Sequence, residues 1–110
     1  MNTLFIFYVS AGILLVLLSL PLLFEKIKPN SFYGVRVPAT LKDPAVWYAV
    51  NKYCAQYLIA VGVIVTVAAV ALYLLPNISV DTYALSVLGV FVAAFGFTLF
   101  QTWRYLQSLR

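Results

Sequence analysis

The chain has 110 residues, of which 65% are hydrophobic and only 9% are charged. Soluble domains usually contain about 45–50% apolar residues, so this composition argues against a water-soluble fold and indicates a membrane protein. The net charge of +4 does not indicate a nucleic-acid-binding protein, because the basic residues flank apolar stretches instead of covering a soluble face. A chain of this length forms one transmembrane domain, residues 1–110, and its small interior leaves homo-oligomerisation open.

Residue types that carry enzyme or metal chemistry are scarce. There is no histidine, and Cys54 is the single cysteine. A lone cysteine cannot form an intrachain disulfide, and without histidine or a second cysteine it lacks the usual partners for a metal. The sequence therefore predicts no enzyme, no catalytic residues, no metal and no cofactor.

Three stretches without charge predict three transmembrane helices, at about residues 4–24, 53–75 and 83–103. At about 1.5 Å per residue, each is long enough to cross a hydrocarbon core of about 30 Å. A cleaved signal peptide is the alternative for the first stretch, but the chain start has no basic residue. The connection after Pro76-Asn77 is short, so the last two helices are predicted to be antiparallel neighbours.

The basic residues predict the orientation of these helices. All seven lysines and arginines occur in the first loop, residues 25–52, or in the C-terminal tail. The opposite side has none of them and carries Asp81. The positive-inside rule then places the N-terminus outside and the C-terminus in the cytoplasm. The predicted fold class is all-α, a polytopic membrane protein with three transmembrane helices.

Two further patterns occur in the apolar spans. Aromatic residues gather at the predicted borders, as in an interfacial belt. On the outer side they are Phe5, Phe7, Tyr8, Tyr73 and Tyr83. Small residues recur at helical spacing in the third span, at Gly89, Ala93 and Gly96. They favour close helix packing within the monomer, with dimerisation as the alternative.

The first loop predicts an extension of the second helix. Asp43 is a good N-cap, and Pro44 suits the first helical position. A helix from Pro44 to the end of the apolar run is longer than the bilayer core is thick, so it should project into the cytoplasm. On the projecting part Trp47, Asn51 and Cys54 share one face, which we expect to be turned toward the rest of the loop.

The middle of the loop carries the polar groups of greatest interest, Arg36 and Asn51. Gly34 provides backbone freedom, and Pro38 keeps the residue before it extended, which predicts a short non-helical segment along the membrane surface. Arg36 and Asn51 have either a structural role, bonding loop carbonyls or lipid phosphates, or a role in recognising an anionic or peptide ligand.

The order and spacing of several loop residues resemble the signature of the SdpI/YfhL family of small bacterial and archaeal membrane proteins. The matching signature residues are Pro29, Asn30, Tyr33, Gly34, Arg36, Pro38, Thr40, Trp47 and Asn51. The shorter, YfhL-like members of this family also have three spans. Two departures are Ala39, where an aromatic is common, and Cys54-Ala55, where glycines often follow the Asn.

The resemblance implies a membrane-embedded binding or immunity protein in a prokaryotic cell membrane. Such a protein protects against a membrane-active toxic peptide or tethers a membrane or cytoplasmic signalling partner. A toxin from outside would meet the bare outer side, whereas the signature loop is predicted inside. The loop therefore either supports the fold or meets a partner that is cytoplasmic or buried in the membrane.

Two other functions stay open: an accessory or scaffold subunit of another membrane protein, and a small oligomeric transporter or channel subunit. Transport needs a polar lining, and the spans offer only hydroxyls and amides, such as Ser19, Gln56 and Thr98. The partners predicted from the sequence are thus the lipid bilayer and a peptide or protein, with no nucleic acid.

Overall fold

The computed structural model describes residues 2–28, 34 and 38–109, and this part of the chain forms four helices. They are α1 (Asn2–Leu23), α2 (Pro38–Lys42), α3 (Pro44–Tyr73) and α4 (Val80–Ser108). Helices α1, α3 and α4 are each long and apolar enough to cross a membrane. The prediction of an all-α chain with three transmembrane helices is confirmed, while the orientation in the membrane stays a prediction.

Helix α3 is the central helix, and α1 and α4 both pack along it. At one end of the bundle the start of α1 meets the start of α4, where the Tyr8 hydroxyl donates to the Ala84 carbonyl at 3.0 Å. The Tyr83 hydroxyl donates to the Ala69 carbonyl on α3 at 2.9 Å. We call this end, where α1 and α4 begin and α3 finishes, the apolar end.

Tyr83 is fully buried, with 0% of its surface exposed. Its assignment to an interfacial belt is therefore wrong. A tyrosine can enter the core only when its hydroxyl finds an acceptor, and the Ala69 carbonyl supplies one.

The other end of the bundle contains the end of α1, helix α2, the start of α3 and the end of α4, and we call it the basic end. Contacts between these elements place them together: the Trp47 indole N–H donates to the Ile27 carbonyl at 2.8 Å. The rings of Tyr53 and Tyr105 stack with centroids 4.2 Å apart. Neighbouring membrane helices thus run antiparallel, as predicted for α3 and α4.

The core is made of small and branched side chains from α3 and α4 together with one tyrosine. Its buried members are Val61, Val65, Ala69, Tyr83 and Val87. Large apolar side chains also cover the outside of the helices, including Leu85, 68% exposed, and Phe7, 63% exposed. Soluble monomers rarely expose apolar surface on this scale, whereas lipid solvates it without cost.

Helices α1 and α3 come close together where they cross, at Gly12 and Gly62. A Cβ atom at Gly62 would lie 2.6 Å from the Gly12 carbonyl oxygen and 2.6 Å from a methyl group of Val16. Only glycine fits there. By contrast, a Cβ at Gly89 or Gly96 would meet no described atom within 4 Å. The expectation that these α4 glycines serve packing within the monomer is therefore wrong.

The predicted start of α3 is confirmed. Asp43 has an extended backbone, its carboxylate accepts from the Ala45 N–H at 2.9 Å, and Pro44 is the first helical residue. The helix has 30 residues and is therefore about 45 Å long, which exceeds a hydrocarbon core of about 30 Å. It ends at Tyr73, two residues before the end of the apolar run. The surplus length lies at the basic end.

Helix α2 was not predicted from the sequence. Residues Pro38–Lys42 form a short helix that contacts α3. The non-helical segment expected before Pro38 includes residues 35–37, which lie outside the described residues. Proline disfavours a helical conformation at the residue before it, and it is itself well suited to the first helical turn. The same residue that predicts extended backbone upstream therefore starts a helix downstream.

Candidate functional site

Trp47 is the largest side chain buried at the basic end, with 0% of its surface exposed. It lies on the first turn of α3, on the part of the helix that exceeds the apolar run. Its indole N–H donates to the Ile27 carbonyl at 2.8 Å, four residues after the end of α1. One side chain therefore fills space at this end and holds the exit of α1 against the start of α3.

Asn51 lies one turn further along α3 and is 1% exposed. Its amide N–H donates to the Trp47 carbonyl at 2.9 Å. A buried amide is costly unless its polar atoms have partners. This bond also fixes the direction of the amide, so that its oxygen points toward the loop residue Gly34.

Gly34 lies against both of these side chains. Its φ is +102°, a backbone conformation that side chains disfavour. A Cβ atom there would lie 2.6 Å from the Asn51 amide oxygen and 3.2 Å from two ring carbons of Trp47. Glycine is thus required for two reasons: the positive φ disfavours other residues, and Asn51 and Trp47 leave no room for a Cβ atom. We call Gly34, Trp47 and Asn51 the signature cluster.

Helix α2 covers the same end of α3. Pro38 begins it, and Thr40 is fully buried although the helix has only five residues. Because α2 contacts α3, the described part of the loop meets the bundle at Gly34 and again at Thr40.

Of the nine signature residues, the structure places five: Gly34, Pro38, Thr40, Trp47 and Asn51. It brings three of them into direct proximity as the signature cluster. The predicted common face of Trp47, Asn51 and Cys54 is confirmed, since all three side chains are buried on α3. The remaining four lie outside the described residues. They are Pro29, Asn30, Tyr33 and Arg36.

A groove of about 390 Å³ lies next to the signature cluster, between α1 and α4. Cys54 and Leu58 of α3 form its floor. Apolar side chains of the two outer helices form its walls, and these are Leu15, Leu18, Leu22, Phe95 and Leu99. Gly34 and Asn51 lie at its basic end. Since α1 and α4 are joined at the apolar end through Tyr8, the groove separates them only toward the basic end.

The hydroxyls of Ser19 and Thr98 are used within their own helices. Ser19 at the groove donates to the Leu15 carbonyl at 2.7 Å. Thr98 donates to the Ala94 carbonyl at 2.9 Å. Such bonds to the carbonyl one turn earlier satisfy a hydroxyl without a partner helix. These groups support the helices and do not form a polar path along the bundle.

Charge at the basic end is positive and exposed. The described lysines and arginine outnumber the two acids Glu25 and Asp43, and the Asp43 carboxylate is engaged in capping α3. The bases are Lys26, Lys28, Lys42, Lys52 and Arg104. All are exposed, so this end of the bundle presents a positive surface around the loop.

Several parts of this site were not predicted from the sequence. The Ile27 carbonyl accepts the Trp47 bond, and a backbone acceptor leaves no trace in the side-chain pattern. Leu22 and Ser19 are buried next to the groove. Leucine recurs along α1 and a second serine occurs at Ser10, so the side-chain type alone does not distinguish these two positions.

The fold and the site define a class: a multi-pass membrane protein of three antiparallel helices whose loop is held against an extended central helix by a buried tryptophan and asparagine. Residues 26–101 match the model of the SdpI/YfhL protein family. The chain belongs to the SdpI/YfhL family. No curated protein and no solved structure gave a match.

Proposed function

We propose that this protein is a membrane-embedded binding protein of the immunity type, and not an enzyme. It protects the cell against a membrane-active toxic peptide or holds a signalling partner at its loop. Family membership supports a role of this kind. The proposed location is the cytoplasmic membrane of a prokaryote, with the basic end inside.

The observation that carries the proposal is the signature cluster. A buried tryptophan and a buried asparagine hold a loop glycine in a left-handed conformation at the edge of the membrane. Three spanning helices do not need this arrangement to form, since apolar length alone produces them. Burying an asparagine and holding a glycine at positive φ both constrain the loop. This constraint is better explained by a need to present the loop residues in one conformation to a partner.

Substitution of Gly34 with alanine tests the proposal in cells. The host is a sensitive strain that expresses the chain and is challenged with a panel of membrane-active peptides. We expect the wild type to protect against at least one peptide. Gly34→Ala should lose protection, because its Cβ meets Asn51 and Trp47 and its φ is unfavourable for alanine.

Gly89→Ala is the matched control, because the same change meets no described atom within 4 Å. It should protect like the wild type. Immunoblots of the membrane fraction establish that all three proteins reach the membrane in equal amounts. Equal protection by Gly34→Ala and Gly89→Ala, or no protection by the wild type against any peptide, would contradict the proposal.

A second candidate is an accessory subunit or a small oligomeric channel subunit. The observation that favours it is the open face of α4, where Gly89 and Gly96 have no described neighbour for an added Cβ. Small residues at such spacing let a second helix approach closely. Disulfide crosslinking of a cysteine at Ala93, with Cys54 replaced, tests it: crosslinked pairs in native membranes support this candidate, and monomers alone contradict it.

A further inference from the structure

We propose that the groove between α1 and α4 binds one acyl chain of an anionic phospholipid, whose headgroup lies among the lysines of the basic end. The proposal does not rest on the immunity function, although Gly34 and Asn51 of the signature cluster also line the groove. It stands on the place, size and surroundings of the groove.

The position of the groove, on the membrane-facing surface of the helices, favours occupancy by a lipid acyl chain. Its walls and floor are apolar side chains, among them Leu18, 46% exposed, and Leu99, 53% exposed. These residues belong to membrane-spanning helices, so the open side of the groove faces lipid. An apolar gap left empty would forfeit the dispersion contacts of its lining atoms, and a neighbouring acyl chain restores them.

The size of the groove accommodates a hydrocarbon chain. Leu15 and Leu22, both in its lining, are seven residues apart on α1, which is about 10.5 Å along the helix axis. The groove therefore runs along about two turns of α1. A segment of one acyl chain lies along a groove of this length, with Gly34 and Asn51 at the end nearest the headgroup.

The charge of the basic end favours anionic lipids over neutral ones. The apolar groove alone does not distinguish between phospholipids, because their tails are equally apolar. Lys26 follows Leu22 of the groove by four residues, and Lys52 follows Asn51 directly; both lysines are exposed. An anionic headgroup above the groove lies at this positive end, and each lysine close to an anionic lipid surface strengthens binding about fivefold.

Trp47 provides a reporter for the test. It lies against Gly34, which is part of the groove lining, and the chain has two tryptophans. Trp103→Phe leaves Trp47 as the single tryptophan, and it is excited at wavelengths that tyrosine does not absorb. The protein is reconstituted into phosphatidylcholine vesicles with increasing fractions of phosphatidylglycerol or phosphatidylcholine that is brominated near the headgroup end of the chain. Bromine quenches tryptophan only at short range.

Brominated phosphatidylglycerol should quench Trp47 by half at a mole fraction about fivefold or more below that needed with brominated phosphatidylcholine. Lys26→Gln with Lys52→Gln should remove this preference. Leu18→Phe with Leu99→Phe should fill the groove from both walls and reduce quenching by both lipids. The matched control, Leu17→Phe with Leu88→Phe, places the same bulk on exposed positions outside the groove and should leave quenching unchanged.

Each other outcome overturns the proposal. Equal quenching by the two lipids means that the groove has no headgroup preference. Quenching by neither lipid means that protein, from a partner or a second copy, covers the groove. Unchanged quenching in the groove-filling variant means that bromine reaches Trp47 from elsewhere. Far-UV circular dichroism of every variant verifies that the helices are intact. The lysine variant changes only exposed side chains, so its result does not depend on how the helices pack.

Discussion

Substitution of Gly62 with alanine should loosen the crossing of α1 and α3. The added Cβ would lie 2.6 Å from the Gly12 carbonyl oxygen and 2.6 Å from a Val16 methyl group. A methyl group can rotate away, but a backbone oxygen moves only with its helix. The Gly62 carbonyl itself accepts a bond from the Thr66 hydroxyl at 2.8 Å, which helps to fix the backbone at this point. The two helices must therefore separate by several tenths of an ångström.

The size of the effect follows from two opposing contributions. Overpacking of a tight contact costs about 1–3 kcal/mol. Alanine is the better helix former by up to about 1 kcal/mol, which offsets part of this cost. We expect Gly62→Ala to lower the free energy of unfolding by about 1–2 kcal/mol.

Gly96→Ala is the control that separates the two contributions. It makes the same change within a membrane helix, but its Cβ meets no described atom within 4 Å. Its stability should equal or slightly exceed that of the wild type. The difference in free energy of unfolding between the two variants then measures the cost at the helix contact, because the gain in helix propensity from glycine to alanine is the same in both. This difference should be about 1–3 kcal/mol.

Reversible unfolding in mixed micelles of a mild detergent and dodecyl sulfate, followed by circular dichroism, measures these free energies. Val16→Ala in the Gly62→Ala background should restore only part of the loss, because the Gly12 carbonyl contact stays. The reasoning is refuted if Gly62→Ala and Gly96→Ala unfold at the same dodecyl sulfate fraction, since the crossing would then tolerate an added methyl group.

Three further predictions concern the basic end and the orientation of the chain in the membrane. Trp47→Phe removes the donor to a backbone carbonyl and should lower stability by about 1–3 kcal/mol in the same unfolding assay; an unchanged midpoint contradicts the structural role of the indole. In a cysteine-free variant, a cysteine at Ser79 should react with an impermeant reagent from outside and one at Ser31 should not; the reverse pattern inverts the orientation. Arg36→Lys should impair protection nearly as much as Arg36→Gln if a planar hydrogen-bonding fork is needed; full tolerance of lysine reduces Arg36 to a simple positive charge.

Features that depend on local sequence were predicted correctly. The three spans follow from apolar length, and the start of α3 follows from Asp43 and Pro44. The shared face of Trp47 and Asn51 follows from the helical repeat. Each of these needs only a few neighbouring residues.

Apart from the pairing of α3 with α4, features that depend on which helices meet were not predicted. Small residues occur in α3 and α4 alike, and in lipid an apolar helix face looks the same whether it contacts lipid or protein. The sequence therefore directed attention to Gly89 and Gly96, whereas the close crossing is at Gly12 and Gly62. The groove likewise depends on how α1 and α4 separate, and no single segment encodes that separation.

The signature cluster has a consequence for how this family can evolve. Gly34 is confined by its own φ, by the Asn51 oxygen and by the Trp47 ring. A mutation at any one of these positions disturbs the other two, so single steps away from this arrangement are disfavoured. Relatives that have lost the glycine are expected to have exchanged the tryptophan and the asparagine as well. The three positions should therefore be inherited together as one unit and vary together among descendants.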